Sequence, residues 1–248
     1  MKYRISVHIV TRKHLREAIE QYPDAANEIK AWVGIVEAVR WHSVLEVRSM
    51  FKDADFVNGY VVFNIRRNRY RLITVIHYAK NGGWKADGRT CLHPILPDTQ
   101  AVQRSRQLGQ KVRHTMSTVL ANPAEMIAHG APHVIHNDEE LEAYTEALFR
   151  LTALENPSPS ELEAIELLTL LVERYEQTHY SIPTADAVSV VRFLIEQQNL
   201  TQRDLIPEFG SESAVSMFLA GQRKLTLNQV RKLSVRFKLP ADVLIGKV

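Results

Sequence analysis

The chain has 248 residues, 45% of them hydrophobic and 24% charged, an ordinary balance for globular protein and enough length for two modest cores. No apolar run reaches the roughly 20 residues of a bilayer helix, and the stretch MKYRISVHIVTRK breaks its apolar residues with charge, so neither a membrane span nor a signal peptide is expected. The single cysteine, Cys91, excludes an internal disulfide and fits a reducing cytoplasm.

Residues 4–10 alternate and are rich in Ile and Val, which predicts a strand. Thr11 caps a predicted helix over 12–21 with Leu15, Ala18 and Ile19 inward. Pro23 opens a second, to about Arg40, carrying Ala26, Ile29, Trp32, Val33 and Val36 inward. Residues 41–50 read as a loop and a short helical turn. Asn58-Gly59 is a turn ahead of a strand over 60–65, Arg66-Arg67-Asn68 a tight hairpin loop, and 70–78 the returning strand. One strand, two helices and a hairpin predict an α+β domain, helices on one face of an antiparallel sheet, over residues 1–79. Residues 80–115 hold Gly82, Gly83, Gly88, Pro94 and Pro97 without either period, and are predicted irregular.

A loose leader from Met116 carries His129, His133 and His136, but no Cys or carboxylate completes a set at ligand spacing, so no metal or other cofactor is expected. Asn137 with Glu140 forms a capping box for a helix striped by Leu141, Tyr144, Leu148 and Leu151. After a break at 156–159, Ser160 with Glu163 repeats the box, and Leu162, Ile165, Leu168, Leu171, Val172 and Tyr175 line the next helix. Such stripes predict core or a dimer seam. Residues 116–180 thus form an acidic helical region, and 180–184 link it to a last all-α segment, 181–248. The net charge of +3 conceals this division: residues 1–115 carry +10, 116–180 carry −10 and 181–248 carry +3. The two basic ends suit nucleic acid, and the acidic middle suits the first block.

In the last segment a helix start at Thr201 runs into Pro207 and a turn at Phe209-Gly210. A second helix over 211–220 stops at Gly221, and Thr226 caps a third with Leu227, Val230, Leu233 and Phe237 on one face. Two short helices about a Gly-containing turn predict a helix-turn-helix. Ser211, Ser213 and Ser216 are short donors that admit close DNA approach, while Val215, Phe218 and Leu219 face a core. Arg223 and Lys224 stand where cations meet phosphate. The stretch LTQRDLIPEFGSESAVSMFLAGQRKLTLNQVRKLSVRF resembles the Xre-type helix-turn-helix, most closely its HigA antitoxin branch. The resemblance implies operator binding as a homodimer, through Thr201, Gln202, Ser211, Ser213, Ser216, Arg223 and Lys224, with autorepression in the cytoplasm. The Gly-to-Val-Ser spacing is one residue shorter than the general pattern, and Met217 stands where relatives often carry an Arg. An all-α interaction scaffold without DNA affinity is the plainer alternative.

The stretch YPDA, the hairpin VVFNI and the following N-x-YRLI resemble a HigB toxin of the RelE-like superfamily. These are small basic ribonucleases that cleave mRNA on the ribosome. Arg71 matches the family's sheet arginine and would neutralise phosphate, with Arg69 a weaker candidate. After Tyr78 the resemblance stops, and the family's arginine-histidine-tyrosine tail is missing. Codons compatible with the residues from Cys91 onward permit, in a shifted frame, the string VYIRSFLTHRQY, so residues from about Lys80 to Thr115 are expected to be partly an out-of-frame translation of that tail, with Met116 the antitoxin's own start. The chain therefore reads as a toxin–antitoxin fusion whose toxin part lacks its last strand and is inactive. Its partners are operator DNA and a HigB-type toxin or its own N-terminal domain. The rival is an active endonuclease held silent by its tether.

Overall fold

The computed structural model describes residues 8–10, 12–39, 41, 43–57, 60–77, 89–92, 96–97, 132–152, 154 and 157–245. The first half of the expected amino-terminal strand, Thr11, Arg40, the Asn58-Gly59 turn, most of residues 80–115, Met116 and His129 lie outside the described residues.

The first half is α+β, as the pattern of alternating and helical segments predicts. It runs β1 (His8–Val10), α1 (Arg12–Gln21), α2 (Ala26–Ala38), α3 (Val44–Met50), β2 (Asp55–Val57), β3 (Tyr60–Ile65), β4 (Tyr70–His77), β5 (Arg89–Leu92) and β6 (Leu96–Pro97). The sheet order is β1-β5-β4-β3-β2, with β6 also on β4. Neighbours are antiparallel except β1 and β5, which run parallel with His8 opposite Arg89. The β3–β4 hairpin pairs Ile65 with Tyr70 and Asn64 with Arg71. Its tip turns through Arg66, Arg67 and Asn68 at φ of 58°, 52° and 67°, a left-handed run that costs non-glycine residues energy and needs support from outside the loop.

Three strands depart from expectation. β2 was not foreseen. More consequential, residues 89–92 and 96–97 form strands within the stretch expected to be irregular, and both lie along the edge of β4 opposite β3, with Cys91 against Val75 and Leu96 against Arg71. The edge of β4 that a missing last strand would leave bare is therefore covered. Unpaired edge N–H and C=O groups draw in whatever chain reaches them, and runs of four and two residues are too short for alternation to stand out.

The second half is all-α: α4 (Asp138–Thr152), α5 (Pro159–His179), α6 (Ala187–Gln197), a 3₁₀ turn (Gln202–Leu205), α7 (Ile206–Phe209), α8 (Glu212–Leu219), α9 (Leu227–Phe237) and α10 (Ala241–Ile245). The box expected at Ser160 and Glu163 sits two residues earlier. Ser158 is the N-cap, reciprocally bonded with Glu161, and Pro159 follows it. Proline's fixed φ and missing N–H suit the first helical position, which moves the start back. In α9, Val230, Leu233 and Phe237 are buried as expected, but Leu227 is 82% exposed. The first turn overhangs the core, and Gln229 turns back to cap it, its side chain accepting from the Thr226 amide at 2.9 Å.

Chain order and core order differ. α4 and α5 make a core of their own from Leu141, Leu148, Leu151, Ile165, Leu168 and Val172. The larger core runs from the toxin-like helices straight into the last segment. Trp32, Phe51 and Phe63 are fully buried, with Phe51 and Phe63 edge-on at 4.9 Å, and Phe193 of α6 joins at 6.0 Å from Phe51. Truncating Phe51 should therefore unsettle both halves. Phe51→Ala is expected to cost about 3–5 kcal/mol, read by denaturant titration, and to lower the midpoint for tryptophan fluorescence and for helical circular dichroism together.

Candidate nucleic-acid interface

Gly210 closes α7 at φ 89°, a left-handed cap whose N–H donates to the Ile206 carbonyl at 2.7 Å, and glycine enters that region without a Cβ penalty. The turn delivers Ser211 as N-cap of α8, its hydroxyl accepting from the Ala214 N–H at 3.2 Å. α8 buries Ala214, Val215, Phe218 and Leu219 and leaves Ser213, Ser216 and Met217 outside. Gly221, at φ 73°, ends it, and Arg223 and Lys224 follow, both exposed. Arg236 of α9 meets Glu208 of α7 at 3.1 Å and locks the motif from behind.

All seven candidate residues, Thr201, Gln202, Ser211, Ser213, Ser216, Arg223 and Lys224, are exposed. They are not equivalent. The Thr201 hydroxyl and N–H both donate to Asp204 at 2.7 Å, which holds that carboxyl below its ordinary range. Ser211 is likewise spent as a cap. Gln202, Ser213, Ser216, Arg223 and Lys224 keep side chains turned to solvent, and Arg203 pairs with Glu212 at 3.3 Å beside them.

The candidate catalytic residues sit elsewhere. Arg71 is half-buried in β4, opposite Asn64 on one side and Leu96 on the other. Arg69 is exposed at the hairpin tip, paired with Asp24 at 2.8 Å and 5.5 Å above the Tyr70 ring. Arg69 lines, with Arg66, Arg67, Arg192, Thr201 and Gln202, a cleft of about 1490 Å³ between the hairpin and the helix-turn-helix. The structure thus brings a catalytic candidate together with two of the DNA-binding candidates.

The floor of that cleft is a docked seam. Gln197, buried at the end of α6, donates its side-chain amide to the Asn64 carbonyl at 2.7 Å, and the Lys52 N–H donates to the Gln197 carbonyl at 3.1 Å. Asn199 bonds Asp53 at 2.8 Å. Two of the three left-handed residues at the hairpin tip have their amides met by carboxylates: Arg66 N–H by Glu28 and Arg67 N–H by Glu196 of α6. Burial, and Glu196 nearby, push the Glu28 carboxyl up.

A second contact joins the acidic helices to α1 through Lys13. Its ammonium lies 3.0 Å from Glu142 and 3.4 Å from Asp138, and its N–H donates at 3.2 Å to Glu176, a fully buried carboxylate of α5. Lys13 is the second residue of α1, so Glu176 sits at the positive end of that helix. Tyr180 and Tyr175 donate to the same Asp138, at 2.6 and 3.1 Å. Of these residues the sequence reading singles out Tyr175 alone, as part of the apolar stripe. Glu176 did carry a signal, falling four residues after Val172 on the inward stripe, where a lone carboxylate requires a partner. Glu140 was also underrated: four residues after His136, it brings a carboxylate to His133 and His136. Among the described residues no helix is long and apolar enough to cross a membrane.

Residues 25–84 match the family model described as HigB toxin, RelE-like toxic component of a toxin–antitoxin system. The chain is also similar to the antitoxin HigA of Escherichia coli K12, of Escherichia coli O6:H1 and of Shigella flexneri. Each is 33% identical over 113 residues, which is 46% of this chain and 72% of the relative.

The Lys13 contact has a pH signature. Hydrogen bonding to Glu142 raises the Lys13 ammonium from 10.5 to about 12, and burial with the bond to Asp138 raises the Tyr180 phenol from 10.0 to about 12. A group whose folded pKa is raised stabilises fully below its unfolded pKa and loses that contribution as pH rises. Thermal stability is therefore expected to fall between pH 10 and 12, and the fall should be shallower in Lys13→Met. Asp138, held low first by Tyr180, acts oppositely, its share being lost in acid below the ordinary 3.8. Melting curves across pH for the parent and Lys13→Met read both limbs.

Proposed function

We propose, given that the chain belongs to the HigA antitoxin family and carries a HigB-type toxin domain ahead of it, that its C-terminal part binds operator DNA as an autorepressor, while its acidic helices neutralise a HigB-type toxin. The observation that carries this reading is the exposure of the whole outer face of the α7–α8 motif. Docking to the toxin domain consumes α6 and leaves Gln202, Ser213, Ser216, Arg223 and Lys224 open. Serine is small enough for backbone and phosphate to approach, and the two cations contribute sequence-independent attraction. One eight-residue recognition helix reads few base pairs, so a palindromic site and a homodimer follow.

For neutralisation, the Lys13–Glu176 contact supplies the recognition. A charge reaching two carboxylates, beside a helix end capped by a third, selects this toxin surface, while the leucines of α5 provide area. The N-terminal domain is read as inactive on mRNA. Arg71 remains in the sheet, but the residues from Ala79 to Thr115 do not spell the family's arginine-histidine-tyrosine tail that would supply proton transfer. General acid and base groups are each worth about 10²–10⁴ in rate. A second reading, an active endonuclease silenced by its tether, draws on the covered edge of β4, because β5 and β6 complete the sheet around Arg71.

Fluorescence anisotropy on DNA from upstream of the gene tests the first reading. Arg223→Ala with Lys224→Ala should weaken binding at every sequence and reduce the slope of log K against log salt by about 2, one per phosphate contact, while Ser213→Ala should alter site preference. Equal binding by the double variant at physiological salt removes the proposed docking. Expression of residues 1–115 alone separates the two readings of the toxin domain: growth is expected, and arrest would establish a complete active site.

A further inference from the structure

At the start of α4, two histidines and a glutamate converge in a way that neither the proposed DNA-binding motif nor the toxin contact uses. Every pair of ligand atoms among His133, His136 and Glu140 lies within 4.8 Å, and His136 Nδ1 is 3.6 Å from Glu140 Oε2. A tetrahedral zinc ion with bonds of about 2.0–2.1 Å holds its ligands about 3.3 Å apart, so small side-chain rotations close the set. We propose that His133, His136 and Glu140 form a site for a divalent transition-metal ion, Zn²⁺ foremost, at the start of α4.

The loop is shaped for this before any ion arrives. Ile135, between the two histidines, is buried in the α4–α5 core at 4% exposure, which turns its neighbours outward on one side. The His133 N–H donates to the Tyr144 hydroxyl at 3.0 Å, the His136 N–H to Glu140 Oε2 at 2.8 Å, and the Glu140 N–H to Asn137 at 2.8 Å. His133 Nδ1 lies 2.9 Å from the Val134 carbonyl. In the tautomer that donates there, the Nε2 lone pair is free for a metal, which is how outer partners orient ligating histidines. The rings of His133 and His136 are 5.8 Å apart and inclined by 35°.

Two imidazoles and one carboxylate suit Zn²⁺, Cu²⁺, Ni²⁺ or Co²⁺ better than Mg²⁺ or Ca²⁺, which prefer all-oxygen sets. The three protein ligands leave a fourth position for water. A cation at a helix amino end meets an unfavourable dipole, which Asp138, Glu139 and Glu140 in the first turn of α4 offset. Asp138 is also the residue that reaches Lys13, so a metal here would stiffen the segment that grips α1.

The test is calorimetric titration of the full chain with zinc chloride, with cobalt(II) absorption as a second readout. The parent should take up one equivalent that the His133→Ala, His136→Ala double variant lacks, its circular dichroism unchanged because both histidines are exposed. Outer-shell changes alone cost 10–100-fold in affinity, so loss of two ligands should cost more than about 100-fold, and Glu140→Gln at least about tenfold. Cobalt should give the intense visible bands of a four-coordinate site in the parent only. No uptake by the parent at micromolar zinc, or uptake unchanged in the double variant, overturns the site. Unchanged affinity in Glu140→Gln overturns the three-ligand set.

Discussion

The Gln197 side chain, buried and bonded to the Asn64 carbonyl, is where the two halves of the molecule become one. α6 belongs by sequence to the last, all-α segment and by packing to the toxin-like core, with Phe193 against Phe51 in one cluster that holds both Leu15 and Leu244. A buried amide that lost this acceptor would leave polar groups dry, at a cost of about 1–3 kcal/mol. The seam therefore specifies one geometry rather than merely a sticky surface. It also supports the left-handed hairpin tip, whose Arg66 and Arg67 amides are held by Glu28 and Glu196 from opposite sides of it.

Against this single core the acidic helices behave as a separate body held by charge. α4 and α5 bury their own leucines, and their grip on the toxin domain runs through Lys13, Asp138, Glu142 and the capped end of α1. Surface ion pairs are worth little. Here the weight falls on Glu176, which is fully buried and would be costly without the helix end it faces. The arrangement matches the division of the chain into blocks of +10 and −10, with apolar packing inside each body and electrostatics between them.

Much of this was legible residue by residue. Gly210, Gly221 and Thr226 are punctuation whose chemistry allows few placements, and α8 and α9 fall where they predict, with Ser211, read as a short donor, serving instead as the N-cap of α8. Asn137 and Glu140 likewise mark α4. The failures have physical causes. Ser158 and Ser160 both satisfy the cap-plus-glutamate spacing, and only the preference of Pro159 for the first helical position separates them. β5 exists through pairing with β4 and with β1, the latter distant in sequence, and its four residues carry no period of their own. The Gln197 seam and the Lys13 contact join residues more than a hundred apart, which periodicity cannot reach. His133, His136 and Glu140 were visible as letters, but their convergence depends on Ile135 turning inward.

The helices proposed to bind DNA share one core with the toxin domain, while Ser213, Ser216, Arg223 and Lys224 stay exposed. Native-state hydrogen exchange on the full chain tests whether this core opens as one unit. Amides near the carboxyl end of α6 and amides in β3 and β4 should exchange through the same opening, with equal free energies and equal denaturant dependence, while those of the step at Arg223 and Lys224 exchange freely. If α6 instead opens well before the β3–β4 hairpin, the seam does not join the two halves, and the account is contradicted.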